Sequence, residues 1–314
     1  MKKIALLYLW MLACISYAHS QDNTPLTDST VALTNGGEYG EAIAVYTRIL
    51  SQAPDDAEVL ALRGHAYAEI NEHEKALQDL ALSLNADPSY WPAYRWRADL
   101  ETDLEDFEAA IRDYDEALQY ADSAADKETI LVNRAVAKRL SGDHAGAAAD
   151  FREALKYNPN SVCALENLGG LLPHMDQPQE AIACLEKAIQ LDSTFEGGYG
   201  NLAYLYSNLG QYQKALDISN RLLSFKPGEA YALNNRGYIK YKLNDLQGAL
   251  EDINNAINVL PVNAYAFKNR GLIYAALKRN SDACTDFQKA LSLGFARYHG
   301  TEVTELIETL CKMR

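Results

Sequence analysis

The sequence predicts an all-α solenoid of antiparallel helix pairs. Alanine recurs at 42, 76, 110, 147, 181, 215, 249 and 283, at intervals of 34 residues with one of 37. A period of this length held along a chain marks a stacked repeat. With these alanines at position 20 of a 34-residue unit, position 24 is large (Tyr46, Leu80, Tyr114, Phe151, Leu185, Ile253, Phe287). Position 8 is small (Gly64, Ala98, Ala135, Gly169, Ala203, Gly237, Gly271). Apolar residues at positions 4, 8 and 11, then 20, 24 and 27, follow the three-four spacing of a helix. Each unit therefore reads as two amphipathic helices whose backbones meet closely at positions 8 and 20.

Taken in order, residues 1–20 differ from the rest. Lys2 and Lys3 precede an apolar run from Ile4 to Ile15, and Ala18-His19-Ser20 gives a small-x-small pattern. This is the layout of a secretory signal peptide, and the run is too short to span a bilayer. The expectation is export, to the periplasm or outside the cell. The absence of an Asn-x-Ser/Thr acceptor with a permitted middle residue agrees with a bacterial source. A lipid anchor at Cys14 is the weaker alternative, because Leu12 stands where a small residue is usual.

Residues 21–56 hold a degenerate N-terminal repeat, in which the second helix, "EAIAVYTRILSQAP", fits and the first does not. Seven clear units follow over 57–297, at 57–90, 91–124, 128–161, 162–195, 196–229, 230–263 and 264–297. Pro54, Pro88, Pro159, Pro227 and Pro261 stand at position 32, where a missing N–H ends the second helix. Three extra residues near 122–127 predict a longer helix end there. Ser219 departs from the pattern by replacing the large residue at position 24. Residues 298–314 read as a capping helix. Thr301 is placed to cap it, and Val303, Leu306, Ile307 and Leu310 form an apolar stripe that covers the open end of the array.

Two stretches, "NNRGYIKYKLNDLQGALEDINNAINVLP" (234–261) and "KNRGLIYAALKRNSDACTDFQKAL" (268–291), carry the small-8, Ala-20, large-24, Ala-27 pattern in phase. The chain resembles the tetratricopeptide repeat (TPR) family. The resemblance implies a superhelix whose first helices line a concave groove, and a non-catalytic role in protein–protein interaction.

Composition narrows the partners. The formal net charge is −14, so nucleic acid, which is bound by neutralising phosphates, is not an expected ligand. Beyond Cys14, Cys163 and Cys184 sit at positions with doubtful geometry for a bridge, and Cys284 and Cys311 can meet only if the last helix folds back. No C-x-x-C pair, phosphate loop, H-E-x-x-H, G-x-S-x-G or EF-hand pattern occurs, so no cofactor, metal site or enzymatic activity is expected.

A second period carries the functional expectation. Asn133, Asn167, Asn201, Asn235 and Asn269, each 34 apart, occupy position 6 of the first helix. At 100° per residue positions 2, 6, 9 and 13 share the face opposite positions 4, 8 and 11. A carboxamide offers one donor group and one acceptor, matching a peptide unit. Five rungs yield about 5–10 kcal/mol at ~1 kcal/mol per net hydrogen bond, against an association cost of about 4–15 kcal/mol. Anchors are therefore needed, and Tyr204 and Tyr238 at position 9, Tyr231 and Tyr265 at position 2, and Tyr241 at position 12 supply candidates. The family's carboxylate clamp for acidic C-termini needs Lys, Asn, Asn, Lys and Arg at set positions. The fifth to seventh clear units offer Gly200, Tyr204, Asn235, Tyr265 and Asn269, in which only Asn235 matches, and the other windows fare no better.

The expectation is thus a scaffold that binds an extended protein or peptide segment. The alternatives are a glycan- or cell-wall-binding module using the same tyrosines, or a structural subunit of an envelope complex.

Overall fold

The computed structural model describes residues 37–311. The signal-peptide segment, Cys14 and the start of the degenerate repeat lie outside them. Among the described residues there are α-helices and one 3-10 turn, and no strand. The chain forms two compact units, one ending at Leu171 and one beginning at Leu172.

The N-terminal unit contains α1 (Tyr39–Leu50), α2 (Ala57–Glu69), α3 (His73–Ala86), α4 (Trp91–Asp103), α5 (Phe107–Tyr120), α6 (Ala124–Ser141), α7 (His144–Tyr157) and α8 (Val162–Leu171). Even-numbered helices are the first helices of their repeats, and α2 touches α4 as α4 touches α6. The extra residues before the third repeat enter α6, which runs 18 residues from an N-cap at Ser123 whose hydroxyl accepts the Asp126 N–H.

The C-terminal unit opens with a 3-10 turn (Leu172–Met175), where Pro173 cannot continue an α-helical ladder. It continues with α9 (Pro178–Leu191), α10 (Glu196–Asn208), α11 (Tyr212–Phe225), α12 (Ala230–Lys242), α13 (Leu246–Val259), α14 (Ala264–Ala276), α15 (Asn280–Ser292), α16 (Phe295–His299) and α17 (Glu302–Leu310). Here α10, α12 and α14 are the first helices and touch in series.

All eight position-20 alanines have no exposed surface. The small residue at position 8 is a steric need. A Cβ on Gly271 would come within 2.5 Å of the Phe287 ring, and one on Gly237 within 2.7 Å of Ile253. The repeat thus trades side-chain volume at position 8 for volume at position 24. Position 15 follows each first helix and takes a left-handed backbone in every clear unit: Asn71, Glu105, Gly142, Asp176, Gly210, Asn244 and Lys278. That conformation reverses the chain in one residue.

A charged clasp also repeats. Arg63, Arg97, Arg134, Arg236 and Arg270, all at position 7, each hold the aspartate 16 residues on with Nε and Nη2. In four of them Nη1 reaches position 25 of the preceding repeat, on Thr47, Asp115, Asn220 and Asn254. Lys138 and Lys240 at position 11 add a second cation to Asp150 and Asp252, both at 2.8 Å. In the fourth and fifth clear repeats Leu168/Cys184 and Leu202/Ile218 replace the pair.

At the C-terminus Val303 is fully buried among Phe267, Phe287 and Phe295, with Leu306, Ile307 and Leu310 packed alongside. Cys284 in α15 and Cys311 after α17 form a disulfide, in which Cys163 and Cys184 take no part. The Thr301 side chain does not cap α17. Its backbone is already near helical (φ −90°, ψ −4°), and its hydroxyl donates instead to Glu305 Oε1 at 2.7 Å.

Candidate functional site

The position-6 asparagines fall into both units and meet different surroundings. In the N-terminal unit Asn133 Nδ2 donates to Asp99 Oδ1 at 3.0 Å, and Asn167 Nδ2 donates to the Cys163 carbonyl of its own helix at 3.0 Å. Asp99 also accepts from Tyr114 Oη (2.6 Å) and Arg95 Nη1 (3.2 Å). Burial pushes the Asp99 carboxyl above its usual range, against the pull of Arg95, Tyr114 and Asn133. Position 6 of the preceding repeat is Trp96, whose ring stacks on His65 at 4.9 Å. This part of the face is already knitted together internally.

In the C-terminal unit Asn201 and Asn235 are half-buried. Asn235 accepts a 3.4 Å hydrogen bond from Asn234, and its own Nδ2 has no acceptor among the described residues. Asn269 is buried and donates across to Asn234 Oδ1 of the neighbouring first helix at 3.0 Å. Its NH₂ is therefore a tie between α12 and α14.

The tyrosines singled out in the sequence all lie in this unit. Tyr204 is 60% exposed, the most open of them, and Tyr231 and Tyr265 are also exposed. Tyr238 and Tyr241 are half-buried, with rings 6.1 Å apart. The Tyr265 ring packs edge-on to Phe295 at 5.2 Å. Its phenol is pushed above the usual value by burial and by the neighbouring Tyr204 and Glu302.

Four residues that the sequence reading did not single out for this face join them. Lys242 Nζ lies over the rings of Tyr212 and Tyr238, at 5.6 and 6.0 Å. Lys268 Nζ lies 5.7 Å from the Tyr238 ring and forms an ion pair with Glu302 Oε1 at 3.1 Å. The signal for them was present. α12 and α14 contain no Asp or Glu and α10 contains only Glu196, whereas α2, α4 and α6 each carry at least two.

Among the described residues no group of three or more His, Cys, Asp or Glu side chains is arranged to hold a metal ion. No helix among them is long and apolar enough to cross a membrane. The face combines aromatic surface, amide groups and two ammonium groups, which suits binding.

Models of the tetratricopeptide repeat match residues 35–100, 132–196, 184–217, 202–264 and 234–296. Tetratricopeptide repeat protein 13 of Homo sapiens is 27% identical over 179 residues, 55% of this chain and 20% of that protein. Protein O-mannosyl-transferase TMTC3 of Homo sapiens is 27% identical over 201 residues, 62% of this chain and 21% of that protein. The chain thus spans about a fifth of the length of these curated relatives. Among solved structures, a repeat protein of the same kind from Parabacteroides merdae is similar, with a TM-score of 0.63 at 21% identity, covering 82% of this chain and 99% of that one.

Proposed function

Because the chain belongs to the tetratricopeptide repeat family, we propose that it is a non-catalytic interaction scaffold, exported from a bacterial cell, whose C-terminal unit holds an extended peptide segment on the face of α10, α12 and α14. The exposed tyrosines beside half-buried asparagines carry this reading. Tyr204, Tyr231 and Tyr265 offer ring surface with a polar tip. Asn235, with an unengaged NH₂, offers an amide group to a backbone, and Asn201 is the position-6 asparagine of the preceding repeat. Asn269 orders the face and reaches the ligand only through its carbonyl. Asn133 and Asn167 belong to the N-terminal unit, where they brace their own surroundings. The Cys284–Cys311 disulfide supports an oxidising compartment and so the exported reading.

The test is binding of acetylated, amidated degenerate decapeptides to the wild type, to Asn201→Ala/Asn235→Ala and to Tyr204→Ala/Tyr238→Ala. Both pairs are expected to weaken binding about tenfold or more, one to two hydrogen bonds or one buried ring. Undiminished binding by both pairs overturns the proposal. Tolerance of the asparagine pair, with oligosaccharide binding lost in the tyrosine pair, turns the reading toward a glycan module.

A further inference from the structure

On the basis of that peptide-holding role, we propose that the segment bound by the C-terminal unit carries acidic side chains, and that Glu302 of α17 occupies the place of one of their carboxylates on Lys268. The chain as a whole has a formal charge of −14, yet the face of α10, α12 and α14 is almost free of carboxylates. The one acid within these helices, Glu196, is held by Lys226 at 2.7 Å, and Glu229, at the N-cap of α12, accepts from the N–H groups of Tyr231 and Ala232. Arg236 and Lys240 are engaged by Asp252, and Arg270 by Asp286. Two cations remain without an aspartate or glutamate from their own repeats, Lys242 and Lys268, and both stand against tyrosine rings. Lys242 Nζ is exposed, between Tyr212 and Tyr238.

Lys268 is the more telling. It is only 8% exposed, and a buried ammonium requires a counter-charge. The counter-charge comes from outside the repeats, from the first residue of the terminal helix, whose own side chain is 53% exposed. Glu302 also lies close enough to act electrostatically on Tyr238 and Tyr265. One carboxylate thus pairs with the lysine and acts electrostatically on the two tyrosines that a bound acidic side chain would meet. α17 is fixed to the last repeat by the disulfide and by Val303, so Glu302 is held at high local concentration and a ligand carboxylate must compete with it.

The face differs from the family's carboxylate clamp in what it reads. No window of three repeats assembles the clamp's five residues, although Lys268 stands at position 5, where the clamp takes a lysine, so the proposal concerns internal Asp or Glu side chains and does not require a free chain terminus.

The experiment uses the full chain with its disulfide intact and three degenerate decapeptide pools, acetylated and amidated, with Glu, Gln or Lys fixed at alternate positions. Titration calorimetry or fluorescence anisotropy is run at low and at physiological salt. The Glu pool is expected to bind about tenfold more tightly than the Lys pool at low salt, with the ratio shrinking as salt rises. Glu302→Ala is expected to raise affinity for the Glu pool several-fold and leave the Gln pool unchanged. Glu305→Ala removes the same charge from the same helix away from Lys268, and its effect is expected to be small. Lys242→Gln, at an exposed site, lowers Glu-pool affinity without endangering the fold. Equal binding of the Glu and Gln pools, both lost in Asn201→Ala/Asn235→Ala, overturns the acidic-ligand inference and leaves the peptide-holding role standing. Absence of binding by every pool overturns both.

Discussion

Arg270 grips Asp286 with two parallel hydrogen bonds, Nε at 2.7 Å and Nη2 at 2.9 Å, while its remaining Nη1 reaches Asn254 of the preceding repeat at 2.8 Å. One guanidinium thus closes the helix pair of its own repeat and ties it to its neighbour. The fork geometry is specific to arginine.

Removing Asp286 leaves the arginine without its counter-charge. Asp286→Ala is expected to cost about 3 kcal/mol, toward the lower end for a broken buried pair because Arg270 is partly exposed. The fifth clear repeat shows another solution, with Leu202 and Ile218 in these positions and Tyr206 where the seventh has Tyr274. Arg270→Leu/Asp286→Ile is therefore expected to recover most of the loss. Urea denaturation of the three proteins checks this; a double variant no better than the single would show that the tie to Asn254 dominates.

Glu101 breaks the clasp pattern in the opposite sense. It occupies position 11, where Lys138 and Lys240 support the aspartate of their repeats, but it faces Asp113. Burial, then Asp113, push its carboxyl up to about 7. The folded chain keeps that proton to near pH 7, whereas an unfolded glutamate releases it near pH 4.3. Its contribution favours folding at low pH and is lost as pH rises through about 7. Glu101→Gln is expected to match the wild type near pH 5 and exceed it at pH 8 by ~1 kcal/mol, after screening at this part-exposed site. Glu101→Lys is expected to gain more at pH 8. Thermal melts across pH 5–8 read both, and parallel curves for wild type and Glu101→Gln would refute the assignment.

Two position-15 turns use residues poorly suited to a left-handed backbone, Glu105 (φ 63°) and Lys278 (φ 63°). Glycine serves the same position at Gly142 and Gly210. Glu105→Gly and Lys278→Gly are each expected to stabilise by about 0.5–1 kcal/mol, the relief of the left-handed cost less the extra backbone entropy of glycine. Lowered melting temperatures in both would mean that the side chains contribute more than the turn conformation costs.

Ser219 stands where other repeats place a large side chain, and its buried hydroxyl has no hydrogen-bond partner. Ser219→Ala is expected to raise stability by about 1 kcal/mol, because it removes an unsatisfied polar group. A loss of that size would point to a water-mediated partner.

The helix pairs were legible in the sequence because alanine at position 20 and a large residue at position 24 report one steric fact, close approach of two backbones. The Arg–Asp clasp has the same period and was equally visible, at a constant separation of 16. It was passed over because charged residues on amphipathic helices are usually read as solvated surface. The asparagines were legible as a row but not in their roles. Asn269 ties two helices through Asn234, at a sequence separation of 35, and Asn133 serves Asp99, 34 residues before it. Such partners depend on how successive first helices are set side by side, which a one-dimensional period does not carry. Lys268 and Glu302 escaped for a related reason: the terminal helix lies outside the repeat and has no phase in it.

The bond between Cys284 and Cys311 gives the array a direction. In a stack where each repeat meets only its neighbours, order propagates from whichever segment forms first, and free ends fray. A cross-link spanning 27 residues restricts the unfolded chain between its ends, by about 3.5 kcal/mol in loop-closure terms. It does so across the last second helix and the helix that seals it, so the apolar stripe of α17 is never far from the surface it covers. The carboxyl end is thus the part of this unit whose apolar surfaces meet at the least entropic cost, and the end least able to fray.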